Sequence, residues 1–294
     1  MSEPVPQTEA VNPRSVGLDR LSSTDLVGLL IDEQRLAVDA VYAQREIVGE
    51  VVDAVAARMR DGGRLHYVGA GTSGRLGFLD ASEMPPTFGT PPDLICAHIA
   101  GGLAALTHAV EGAEDDGDAG AAEMRGHVGS GDAVIGVSAS GGAPYVVCAI
   151  QAAREIGALT VGVSNSDGAP LPRAAQIGIV LRTGPEPLTG STRLKAGTSQ
   201  KLLLNAISTA VMVRLGKVHD NLMIDVVATN KKLRRRALGL VEQLTGLDGS
   251  RSQDLLDASS GSVKVAVVMG LRGLKAEQAR ELLDEHGGVL RAVL

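Results

Sequence analysis

The sequence predicts an α/β fold: a doubly wound, five-stranded parallel sheet in three αβα layers, followed by a small C-terminal helical domain. Three observations predict it. Five short runs rich in Val, Ile and Leu show little polar alternation, as strands covered on both faces do. Helical segments separate most of these runs, which is the rhythm of a parallel sheet. The 37 glycines concentrate between residues 60 and 200, at the ends of the apolar runs, where strands turn into loops and helices.

The elements follow in order. Residues 1–12 are polar and acidic, with no basic region leading into an apolar stretch, so no secretory leader is expected. Ser23, Thr24 and Asp25 offer helix caps. Apolar residues then recur to Arg60, and Gly62-Gly63 stops the pattern, which predicts one long helix. Strands are expected over 64–69, 94–99, 133–137, 160–163 and 177–181. Helices fall between them, for example over 74–82 and over 144–156, the latter opening on Pro144 at a first-turn position. Residues 198–215 are apolar at helical spacing. Residues 221–244 continue as helix and carry Lys231, Lys232, Arg234, Arg235 and Arg236, a solvated basic face. Composition breaks at 245–249. Three short helices follow over 252–259, 262–270 and 275–286, with Gly287-Gly288 as a stop. The expected organisation is a tail and long helix over 1–62 packing on the core, a sheet domain with its following helices over 63–244, and a three-helix domain over 245–294. That last unit is too small to bury much surface alone.

Composition narrows the function. The 44% hydrophobic and 21% charged fractions supply a sizeable core and exclude a disordered chain. Acidic residues outnumber basic ones, 34 to 28, for a net charge of −6, and there are no Trp, 3 Tyr and 2 Phe. That balance opposes nucleic-acid binding, which needs basic surface and stacking rings. No apolar run reaches the roughly 20 residues of a membrane span. Cys96 and Cys148 sit in apolar segments and form no CxxC pair, as in a reducing, cytoplasmic setting. The six histidines make no HExxH or HxH pattern, so neither a metal site nor a cofactor is expected.

Three loops carry the chemistry of anion binding. Gly69-Ala70-Gly71-Thr72-Ser73-Gly74-Arg75 follows the first strand. It matches G-x-G-x-x-G, but hydroxyls fill it. No strand ending in an acid follows about twenty residues on, as a dinucleotide site requires. Thr72 and Ser73 at a helix start suit a small phosphate or sugar hydroxyls. Ser138-Ala139-Ser140-Gly141-Gly142-Ala143-Pro144 follows the third strand and offers backbone N–H groups and two hydroxyls. Residues 189–198, with Ser191, Thr192, Arg193 and Lys195, lead into a further helix. Two acidic loci add proton-transfer groups. Glu83 precedes Met84-Pro85, and Pro85 favours an extended Met84, so a helix end is expected at Glu83, where a carboxyl can serve as an acid. Glu111 and Glu114 lie in an acidic loop with Asp115 and Asp116.

These loops and the five-strand pattern resemble a sugar isomerase (SIS) domain. Further strings resemble one branch. They are Asn12-Pro13 with Leu18-Asp19, Gly69 through Gly77, Asp80-Ala81-Ser82-Glu83 with Pro85-Pro86-Thr87, Glu111 through Asp115, residues 189–198, and Asn221-Leu222-Met223 with Asp225 through Asn230. That branch is the N-acetylmuramic acid 6-phosphate etherases, relatives of the glucokinase regulatory protein, and the resemblance spans nearly the whole chain. It implies a C-terminal domain similar to a ubiquitin-associated fold. It also implies a lyase that removes D-lactate from a phosphorylated amino sugar of the cell wall, giving N-acetylglucosamine 6-phosphate, with no metal or redox cofactor. The resemblance places the acid at Glu83 and the base at Glu114, with Glu111 a neighbouring rival. It implies a homodimer whose site a second subunit completes. The phosphate is expected among Thr72, Ser73, Ser138, Ser140, Ser191 and Thr192, with Lys195 adding charge. Two other readings stay open: a non-catalytic phosphosugar-binding regulator, and an aldose–ketose isomerase. The first needs no glutamate pair, and the second has no use for an acid aimed at C3.

Overall fold

The computed structural model describes residues 7–226 and 230–294. Its chain contacts divide into two units, Met1–Ala81 with Asp93–Ser208, and Ser82–Pro92 with Thr209–Leu294.

In the first unit, single-turn 3-10 helices lead to α1 (Ser23–Tyr42) and α2 (Arg45–Arg60). Then come β1 (Leu65–Gly69), α3 (Gly71–Phe88), β2 (Ile95–Ile99), α4 (Gly117–His127), β3 (Ala133–Val137), α5 (Pro144–Ile156), β4 (Leu159–Ser164), α6 (Pro170–Ala174), β5 (Ile177–Val180) and α7 (Lys195–Arg214); α3 from Ser82 and α7 from Thr209 belong to the second unit. The five strands are parallel in the order β2-β1-β3-β4-β5. The order reverses between β1 and β3, and such a switch point opens a crevice at the carboxyl ends of the strands. Gly69 stands opposite both Ile99 and Val137, so β2, β1 and β3 end level with one another. The loops after these strands therefore share one rim.

Both faces of the sheet are covered, which explains the missing alternation. On one face Val68 and Val134 join Met124 of α4, Val146 and Ile150 of α5 and Leu171 of α6 in a single apolar cluster. On the other, Tyr67 donates its hydroxyl to Asp80 Oδ2 at 2.8 Å. Asp80 Oδ1 accepts from Asn205 Nδ2 at 2.5 Å and Ser208 Oγ at 3.1 Å. Burial, and then the Asp80 charge, raise the Tyr67 pKa well above its ordinary value, so this hydroxyl remains a donor and ties α3 and α7 to β1.

Three helical expectations need correction. The single helix over 23–60 is two, broken at Ala43 and Gln44. No Gly or Pro marks the break. Second, α3 does not end at Glu83 but runs through Pro85 and Pro86 to Phe88. The prolines remove two N–H groups from the ladder, yet Gly89 N still bonds Pro85 O at 3.0 Å, and Met84 and Phe88, four residues apart, are both buried. Glu83 is therefore interior to the helix, and the argument from its terminal dipole falls. Third, the helix expected over 221–244 begins only at Lys231, where Asn230 accepts the Leu233 N–H at 3.0 Å as its cap. Asp220 turns with a φ of 52° and His219 pairs with Leu222. Val227, Ala228 and Thr229 of that motif lie outside the described residues.

The second unit packs α8 (Lys231–Thr245), α9 (Gly249–Ala258), α10 (Val263–Arg272), α11 (Ala276–Glu285) and the short α12 (Leu290–Val293). Every residue from Val263 to Val268 is buried, so α10 is the central helix of this unit. Ile224, Leu240, Val241, Leu256 and Leu283 surround it. The C-terminal helices thus share their core with α8. Lys264, inside α10, is held by Asp225 at 2.9 Å and Gly288 O at 2.8 Å.

Candidate active site

The strand-end rim gathers the anion-binding loops. The turn from β1 into α3 needs glycines for close approach: a Cβ on Gly69 would fall 2.6 Å from Gly74 N. In the loop after β3, Gly141 has a φ of 66°, and a Cβ there would lie 2.6 Å from that of Ala169. Ser138 Oγ accepts the Gly141 N–H at 3.1 Å, and Ser140 Oγ accepts the Gly142 N–H at 3.2 Å. The two amides are thus taken by the hydroxyls, and an anion here meets the O–H of exposed Ser140 rather than a bare amide nest.

Two clefts flank the first turns of α3. Gly71 and Arg75, four residues apart, line a cavity of about 340 Å³ with Ala70, Glu111 and Glu114. Glu114 is exposed and sits in the single turn Ala113–Asp115 that leads into α4. Thr72 and Leu76, the next pair around the helix, line a cleft of about 260 Å³ with Arg193, Gly197, Thr198 and Lys201. One cleft carries two carboxylates with Arg75, and the other carries two cations. Glu83 belongs to the second unit and stands exposed on α3, next to buried Met84.

The remaining expected ligands are placed differently. Ser73 is buried and donates to Gln200 Oε1 at 2.8 Å, and Gln200 in turn reaches Asn165 at 2.9 Å. Its hydroxyl is spent inside the protein. Lys195 does not face an anion site. It is 1% exposed and its ammonium lies 2.5 Å from Glu33 Oε2. Asn12 donates to the same carboxylate at 2.8 Å and Arg14 pairs with it at 3.0 Å. The start of α7 is also occupied, because Glu186 accepts the N–H groups of Lys195 at 3.1 Å and Ala196 at 2.9 Å. Ser191 and Thr192 contribute half-buried side chains, and their backbone N–H groups bond Leu188 O and Gly190 O. The cations that do line the rim, Arg75, Arg193 and Lys201, carry no distinguishing sequence signal beyond their nearness to the loops.

Histidine spacing pointed to no metal ligands, yet folding brings one candidate set together. Among the described residues, His98, Glu123 and His127 offer ligand atoms within 4.8 Å of one another.

The chain resembles known proteins along its length. The family model of the glucokinase regulatory protein N-terminal SIS domain matches residues 46–154. A protein named N-acetylmuramic acid 6-phosphate etherase in Deinococcus radiodurans is 49% identical over 98% of this chain and 95% of its own length. One of the same name in Pectobacterium atrosepticum is 48% identical, with the same coverage of both chains. Among solved structures, a phosphoheptose isomerase from Francisella tularensis matches 66% of this chain and 100% of its own, at 14% identity and a TM-score of 0.51. That last likeness concerns the fold.

Proposed function

Because the chain belongs to the N-acetylmuramic acid 6-phosphate etherase family, it is a lyase that cleaves the D-lactyl ether of that amino sugar, and we propose that Glu114 and Glu83 carry its two proton transfers. The observation that supports this reading is the pair of clefts on the first turns of α3, one with Glu111, Glu114 and Arg75 and the other with Arg193 and Lys201; Glu83 lines neither, and its role rests on the family resemblance.

An alkoxide is a poor leaving group, and a sugar C–H bond becomes acidic beside a carbonyl. The opened sugar has an aldehyde at C1, which acidifies the proton on C2. Glu114 removes that proton, and the C–H electron pair shifts toward the carbonyl. The C3–O bond then breaks, and Glu83 gives a proton to the departing oxygen, releasing D-lactate. Water adds at C3 of the unsaturated aldehyde and C2 regains a proton, giving N-acetylglucosamine 6-phosphate. Glu111 shares the cavity with Glu114 and is the alternative base. The 6-phosphate binds through Thr72, Ser140, Ser191 and Thr192, with Arg193 and Lys201, rather than buried Lys195, supplying the charge. Ser138 holds the loop. The reaction recycles peptidoglycan sugar in the cytoplasm; among the described residues no helix is long and apolar enough to cross a membrane.

The phosphate anchor is tested by comparing D-lactate release from N-acetylmuramic acid with and without its 6-phosphate. Loss of the charged anchor removes binding energy that positions C2 and C3, so the phosphorylated sugar is turned over and the free sugar is not. Equal turnover of both contradicts the anchor.

The working unit is a homodimer. Val27, Ile31, Val38 and Tyr42 form one stripe along α1 and are 53%, 60%, 54% and 68% exposed. Such a stripe is unusual on a monomer and fits a self-complementary interface. Ile31→Glu is expected to convert the dimer to monomer in sedimentation velocity; a wild-type monomer, or a variant that stays dimeric, contradicts this surface.

A further inference from the structure

The candidate metal set lies in the first unit, and a line of buried groups orients it. Asp132, just before β3, accepts the Arg64 N–H at 2.7 Å and the Gly129 N–H at 2.8 Å, and the Arg64 guanidinium is 3.4 Å away. Burial alone would raise the pKa of Asp132, but these donors and the neighbouring positive charge bring it below the usual carboxylate value. Asp132 is thus an acceptor with no proton to give.

His66 Nε2 lies 3.3 Å from Asp132 Oδ2 without a hydrogen bond to it. His66 Nδ1 is 3.0 Å from His98 Nε2, and His98 Nδ1 lies 2.8 Å from Glu123 Oε1. His127 follows Glu123 by one helical turn. Its ring centroid is 5.3 Å from that of His98, and its Nδ1 lies 2.9 Å from Glu123 O and 3.7 Å from Glu123 Oε1.

We propose that His98, Glu123 and His127, whose ligand atoms lie within 4.8 Å of one another, bind a divalent transition-metal ion. Two imidazoles and a carboxylate suit Zn²⁺, and His66, between Asp132 and His98, is an outer support that orients a ligating histidine. The glutamate and His127 are partly exposed, so water can complete the coordination. The ion would staple the last turn of α4 to the edge strand β2. Because α4 begins just after the turn that carries Glu114, the staple also anchors the helix that follows the proposed base.

The test uses the full chain after treatment with a chelator. Zn²⁺ is titrated calorimetrically and Co²⁺ by visible absorption. One equivalent per chain is expected, with ligand-field bands for Co²⁺ and a higher thermal midpoint with Zn²⁺. Glu123→Gln and His127→Ala alter the half-exposed surface of α4 and should stay folded while losing affinity by more than about 10-fold. His286→Ala, far along the sequence in the second unit, should leave binding unchanged. No stoichiometric binding, or full affinity in both α4 variants, overturns the site. Loss of D-lactate release elsewhere in the molecule does not bear on it, because binding is read directly.

Discussion

Glu83→Gln releases D-lactate about 10²–10⁴-fold more slowly than the wild-type enzyme, the range that one positioned acid or base supplies. The amide keeps the size and hydrogen-bonding reach of the side chain but cannot deliver a proton to the ether oxygen. Glu83 is exposed on α3, so the substitution costs little stability, within about 0.5 kcal/mol. Unchanged circular dichroism and thermal midpoint alongside lost turnover assign the defect to chemistry. A variant with wild-type turnover removes Glu83 from the mechanism. A non-catalytic regulator predicts no release from either protein, and an isomerase predicts a ketose 6-phosphate instead.

Lys195→Met has the largest effect on stability. The Lys195–Glu33 pair is buried at both ends, 1% and 1% exposed. Removing Lys195 leaves the buried Glu33 charge with only Arg14 and Asn12, at a cost of about 3 kcal/mol, or a fall of roughly 10 °C in thermal midpoint. Adding Glu33→Gln to Lys195→Met removes the stranded charge and restores part of the loss, so the double-mutant cycle is non-additive. The pair also has a pH signature. Burial would raise the Glu33 pKa from 4.5, but hydrogen bonds from Lys195 and Asn12, with the Lys195 and Arg14 charges, bring it below that value. A carboxylate with a lowered folded pKa stabilises the protein above its unfolded value and loses that contribution as pH falls through the folded one. The stability gap between wild type and Glu33→Gln should therefore narrow below pH 4.5. If Lys195 were instead a phosphate ligand, Lys195→Met would raise KM and leave the thermal midpoint in place.

Much of the sheet was readable because burial on both faces writes itself into composition. The run over 133–137 and the helix over 144–156 match β3 and α5 at both ends, since Asp132 and Pro144 mark the boundaries chemically. The loops with Thr72, Ser138 and Ser140 were legible for the same reason: glycine and hydroxyl residues cluster where strands stop. What escaped was set by tertiary contacts. Nothing local breaks the helix at Ala43, and the proline pair that should end α3 is overridden while Met84 and Phe88 are buried. Lys195 reads as a surface cation beside Arg193, and only the fold brings Glu33, 162 residues earlier, to its ammonium. His98 and Glu123 are likewise 25 residues apart, outside any spacing rule for metal ligands.

Deuterium exchange at C2 tests the division of roles between the two glutamates most directly. N-acetylmuramic acid 6-phosphate is incubated in D₂O with Glu83→Gln or Glu114→Gln and followed by proton NMR. The account predicts that Glu83→Gln still exchanges the C2 proton without releasing lactate, because its base is intact, and that Glu114→Gln does neither. Exchange that persists in Glu114→Gln, or that disappears only in Glu83→Gln, would contradict it.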